Sequence, residues 1–223
     1  MDHSSAPLSG YAVQGYYVLL VACGSALLFS IPHASRVTDL IRPHWDPPSS
    51  VFFAVYGVMT ALLGLARGSA AASWDTAGWR TVGSLLGLVL FGQFLVLPHL
   101  LFSRALLAGR DTILLPLIAY VTLTAFMFSL IALRLELRAA ARNTRPFILQ
   151  HAVFALFVIV PWILSLVEHV PHIVAFLSPV GAALGMIHSA SAMEHVVAFA
   201  FVGSVVVLQL IGIQRSIRRT HAI

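Results

Sequence analysis

The chain has 223 residues, 59% of them hydrophobic and 9% charged, with a mean hydropathy of +0.93. Its formal charge is +5, and all 13 of its strongly basic residues are arginine. Such a composition is that of an integral membrane protein, and the missing lysine excludes a Schiff base to retinal or pyridoxal and a P-loop nucleotide site.

A hydrocarbon core roughly 30 Å thick needs about 20 apolar residues per crossing helix. The first predicted span is Tyr11–Ile31. It holds Cys23, the only cysteine, which excludes an intrachain disulfide or a multi-cysteine metal site and reads as a small packing residue. No basic segment precedes this span, so it is expected to be retained rather than cleaved as a signal peptide. The second span, Ser50–Ala66, is short. The third, Thr81–Phe102, carries Gly83 and Gly87 one turn apart, a spacing that permits close helix approach. The fourth, Thr112–Leu133, runs on into RLELRAAARNTRP, where Arg134, Arg138, Arg142 and Arg145 would line one helix face. Pro146 opens the fifth span, Phe147–Val167. The apolar stretch Val170–Ser189 follows, broken by Pro171, Pro179, Gly181 and Gly185. Met193–Ile213 is the sixth span. The predicted fold is therefore an all-α integral membrane protein with six transmembrane helices, one polytopic domain over residues 1–223.

Arginine placement sets the expected topology. With six crossings, one side carries Arg67, Arg80, Arg134, Arg138, Arg142, Arg145, Arg215, Arg218 and Arg219, and the other carries Arg36, Arg42, Arg104 and Arg110. The richer side is the cytoplasmic one, so both termini are expected in the cytoplasm of a multi-pass cell-membrane protein. The two densest clusters flank Val170–Ser189 and share a side only if that stretch does not cross. It is expected to dip in from the outer face and return as a re-entrant segment built around Ser178, Pro179 and Gly181, which irregular backbone permits where protein covers it. The alternative is an outer loop lying flat at the interface.

The polar residues are few. The arginine stripe suits either lipid head groups or an acidic partner, and scattered arginines at span ends do not point to nucleic acid. Most histidines fall near the outer face. His99 with His169 or His195 could stand at matching depth and hold a b-type haem, although a half-polar ring also sits at a span end without any ligand. No carboxylate lies mid-span, which argues against ion-coupled carriers, and no catalytic motif is present, so no catalytic or metal-ligating residue is assigned.

Two stretches resemble the permease subunit of ABC-2-type transporters. The first is Ala125–Leu164, a span, a short arginine-rich link and a span ending near a proline. The second is FLSPVGAALGMI with the last span and IQRSIRR, in which Leu177, Ser178 and Pro179 occupy the place of that family's outer "LSP" element. The resemblance covers about residues 125–219. It implies a permease that pairs with a second copy and with a separate ATPase subunit, and that moves a hydrophobic or amphipathic substrate without a cofactor of its own. Two other readings stand beside it: a haem- or quinone-binding membrane subunit of an electron-transfer complex, and an accessory subunit that packs against other membrane subunits.

Overall fold

A computed structural model describes residues 48–72, 78–103, 114–140, 146–164 and 192–220, together with Val174, Leu177, Ser178, Gly181, Ala182 and Met186. These residues form five helices and no strand: α1 Pro48–Ala71, α2 Trp79–Ser103, α3 Leu114–Ala140, α4 Phe147–Leu164 and α5 Ala192–Thr220. Five of the six predicted spans thus coincide with helices, while Tyr11–Ile31 lies outside the described residues. Among the described residues, three stretches are long and apolar enough to cross a membrane: Trp79–Leu97, Leu114–Ala140 and Ala192–Ile217. This is the pattern of a membrane protein.

The helix starts follow local chemistry. Gly78 enters α2 with φ +80°, a left-handed conformation that favours glycine, and its carbonyl accepts the Val82 N–H. Pro146, just ahead of α4, offers its carbonyl to the Gln150 N–H at 2.9 Å.

Helix α3 is the centre of the bundle. Tyr120, Phe128, Leu130 and Ala132 along it are fully buried, and all four other helices pack on it. The tightest approach is to α1. Gly57, Ala61, Gly64 and Gly68 form a small-residue stripe buried on α1. A Cβ at Gly64 would fall on the Ala125 carbonyl oxygen, and one at Gly68 on the Ser129 carbonyl oxygen. In lipid, where no hydrophobic effect drives helices together, such close backbone packing is a main source of association energy. Aromatic contacts join the other helices. Phe128 lies against Phe154 and Phe157 of α4 with ring centroids at 5.7 and 6.4 Å, and Tyr120 meets Phe199 of α5 edge-on at 5.6 Å.

The glycine pair on α2 whose spacing permits close helix approach does not make one among the described residues. Among the described residues, nothing outside their own helix backbone lies within 4 Å of where a Cβ would stand at Gly83 or Gly87 of α2. They share an exposed surface with Leu86, Leu90, Phe91 and Phe94. An exposed face this apolar suits acyl chains rather than water.

Contacts along the helices fix their directions. The pairs Gly64–Ala125 and Gly68–Ser129 advance together, so α1 and α3 are parallel. Tyr120–Phe199 and Arg134–Gln209 make α5 parallel to α3 as well. Phe128–Phe157 and Glu136–Gln150 run in opposite senses, so α4 is antiparallel. The Tyr56–Gln93 bond, and Gly78 lying beside Ile217, set α2 antiparallel to α1 and α5. The outcome is that Arg67, Arg80, Arg134, Arg138 and Arg215 gather at one end of the bundle, the arginine end. Helix α4 therefore finishes, and α5 begins, at the opposite end.

Candidate functional site

Polar groups inside an apolar bundle are costly unless they are paired or used. Among the described residues, three groups of them link one helix to another. The first lies between α1 and α2. The Tyr56 hydroxyl donates to Gln93 Oε1. One turn on, the Thr60 hydroxyl returns to the Tyr56 carbonyl at 2.6 Å. Thr60, Leu63 and Arg67 of α1 line a small cleft with Val89, Gly92, Gln93 and Val96 of α2. Arg67 is 3% exposed and Gln93 9%. The cleft encloses about 10 Å³, room for about one water molecule. A larger ligand enters only if α2 moves away from α1.

The second group ties three helices at the arginine end. Gln150 of α4 accepts from the Ser69 hydroxyl of α1 at 3.1 Å and donates to Glu136 Oε1 of α3 at 2.9 Å. Gln150 is 5% exposed, so its amide is committed to these two partners. Residues 134 and 136 point to different sides of α3. Glu136 turns to α4, while Arg134 turns to α5.

The third group is Arg134 itself. Its Nη1 donates to Gln209 Oε1 at 2.9 Å. The guanidinium lies across Gly212, where a Cβ would strike it. Glycine at 212 is thus what lets the arginine lie flat on α5. We expect Gly212→Val to push the guanidinium off α5, break the Gln209 bond and cost about 1–3 kcal/mol. Thermal unfolding of the purified variant measures this, and Gly212→Ala should cost less because the tip of an arginine can shift.

The residues singled out from the sequence fall as follows. Arg134 is half-buried and Arg138 exposed, whereas Arg142 and Arg145 lie outside the described residues. His195 is in the first turn of α5, at the end opposite the arginines. His99 belongs to α2, with its side chain outside the described residues, and His169 lies outside them altogether. Among the described residues no three of His, Cys, Asp and Glu come together as a metal would require. Of the predicted re-entrant segment, Ser178 and Gly181 are buried and Pro179 is outside the described residues. The Ser178 hydroxyl donates to the Val158 carbonyl of α4 at 2.7 Å, and its own carbonyl accepts the Ala182 N–H at 2.8 Å. Val158 lies roughly 9 Å back along α4 from Leu164, at 1.5 Å per residue.

Tyr56, Thr60, Ser69, Gln93, Gln150 and Gln209 are the polar residues of these groups that composition and spacing do not single out. The signal was present: uncharged hydrogen-bonding side chains are scarce within these apolar runs. Without the fold, nothing showed that Tyr56 and Gln93, 37 residues apart, share a bond. No protein-family model, curated protein or solved structure matches this chain.

Proposed function

We propose that this chain is the membrane-embedded permease subunit of a transporter that moves a hydrophobic or amphipathic substrate, with ATP hydrolysed by a separate subunit. The observation that carries this reading is the cleft between α1 and α2. It joins Gln93, Thr60 and the cationic Arg67 to an apolar wall of Leu63, Val89 and Val96, as a molecule with one polar end requires. Its small volume fits a resting state that opens when α2 separates from α1. The Ser69–Gln150–Glu136 bonds tie α1, α3 and α4 into a unit at the arginine end. A push from a cytoplasmic ATPase would be transmitted there.

The same reading includes six crossings with both termini in the cytoplasm and the arginine end facing inward. It also includes a re-entrant segment between the fifth and sixth spans. The reversal between α4 and α5 supports that segment, as does the Ser178 bond to the interior of α4. A second permease copy completes the path.

The test begins with the native assembly purified in detergent. A colourless sample that carries a nucleotide-binding chain and drives ATP-dependent flux of a fluorescent lipid in proteoliposomes is the expected result. In that assay Gln93→Leu should lower the flux about tenfold, the effect of mispairing a polar group in a binding site, while the unfolding temperature changes by only a few degrees. A haem Soret band, or an assembly without any ATPase chain, overturns the proposal.

A further inference from the structure

Arg134, Arg138 and Arg215 bring three positive charges together where α3 and α5 leave the apolar part of the bundle. The Arg134 guanidinium lies across Gly212, three residues before Arg215 on α5, and Arg138 follows Arg134 by one turn of α3. Among the described residues none of the three has a carboxylate partner, because the neighbouring Glu136 is turned to Gln150 on α4. Arg134 keeps one guanidinium nitrogen on Gln209, while its Nε is buried with no hydrogen-bond partner among the described residues. Three like charges gathered at a membrane boundary attract an anion, each contributing about 1 kcal/mol toward an anionic head group.

The surface beside the cluster indicates what carries that anion. Leu208 and Ile211 share a helical face with Arg215, at spacings of seven and four residues. Both are exposed, at 60% and 41%. An apolar strip thus runs along α5 and ends in the arginines. This is the profile of a phospholipid, with acyl chains on the strip and a phosphate at the end. A soluble acidic protein would reach the arginines without using the strip.

We propose that Arg134, Arg138 and Arg215 form a binding site for the phosphate of an anionic lipid in the adjoining leaflet, with its acyl chains along Leu208 and Ile211. The site stands independently of the transport reading, since it needs only that the bundle be in a membrane.

The experiment uses the full chain purified in a neutral detergent. Native mass spectrometry counts retained phosphatidylglycerol against phosphatidylcholine, with both supplied equally. The wild type should retain phosphatidylglycerol in preference. Arg138→Gln with Arg215→Gln should reduce that preference about thirtyfold, two surface charges' worth. Arg138→Lys with Arg215→Lys should preserve most of it, which separates charge from fold, and Leu208→Ser with Ile211→Ser should weaken retention with all three arginines in place. Equal retention of phosphatidylglycerol by the wild type and the glutamine pair overturns the proposal. So does displacement of the lipid by millimolar inorganic phosphate, which would make free phosphate the ligand. Loss of a co-purifying acidic subunit from the glutamine pair, with lipid retention unchanged, overturns it in favour of a protein partner.

Discussion

Gly68→Ile should leave little folded protein. The α1–α3 interface has no space at this position, since a Cβ there falls on the Ser129 carbonyl oxygen and lies 2.8 Å from Ala132 Cβ. Neither obstacle is the tip of a flexible side chain. The backbone of α3 would have to retreat, and with it the packing of the other helices. Overpacking a core costs about 1–3 kcal/mol, and more where backbone must move. A total stability of roughly 5–15 kcal/mol leaves little margin. Gly68→Ala should already lower the unfolding temperature. Gly64→Ala should behave similarly, because its Cβ would fall on the Ala125 carbonyl oxygen. Gly83→Ala and Gly87→Ala on α2 are the controls, and both should leave stability unchanged or raise it by up to about 1 kcal/mol, because the added Cβ meets open space in a helix. The measurement is the monodisperse fraction of detergent-solubilised protein before and after heating. Equal tolerance at positions 68 and 83 would contradict the packing described for α1 and α3.

Gln150→Leu is the second substitution with a large expected effect. The change is close in volume, so packing alone predicts little. It removes the acceptor of the Ser69 hydroxyl and the donor to Glu136 in one step. Each group left unsatisfied in a low-dielectric setting costs about 1–3 kcal/mol, and more for a carboxylate. Gln150→Glu should be worse still, since it sets a second carboxylate against Glu136 where an amide donated. If the network transmits motion from the arginine end, both variants should lose ATP-driven flux by more than their loss of stability explains. Adding Ser69→Ala to Gln150→Leu should recover part of the stability, because the orphaned hydroxyl is then gone. A double-mutant cycle on thermal unfolding reads that recovery directly.

The helical fold was legible for clear reasons. Apolar runs of about 20 residues bounded by arginine can satisfy their backbone in lipid only as helices. The predicted spans at Ser50–Ala66, Thr81–Phe102, Thr112–Leu133, Phe147–Val167 and Met193–Ile213 accordingly meet α1 to α5. Helix α3 continues through the arginine-rich RLELRAA segment to Ala140, as the spacing of Arg134 and Arg138 predicts. The small-residue interface was not legible in spacing alone. Gly83 and Gly87 have the required spacing, but they face outward. Gly64 and Gly68 have the same spacing and form the real contact. They were passed over because Arg67, between them, looks like the end of a span. In the bundle that arginine turns towards α2 while the glycines on either side face α3. Residue spacing says which side chains share a helical face, but not which neighbour that face meets.

The candidate site divides in the same way. Composition and arginine placement are local properties, and they determined the membrane class, the helical content and the positions of the basic ends. Bonds between helices are set by how whole faces align. Only the tertiary structure could therefore pair Tyr56 with Gln93, Gln150 with Ser69 and Glu136, and Arg134 with Gln209 above Gly212. The arginine stripe was visible along α3, yet Arg215 joins it from a helix some 75 residues later in the chain. A repeat of 3.6 residues carries the information for one helix face. The meeting of two faces depends on the crossing geometry of small residues, and that is a property of the packed bundle.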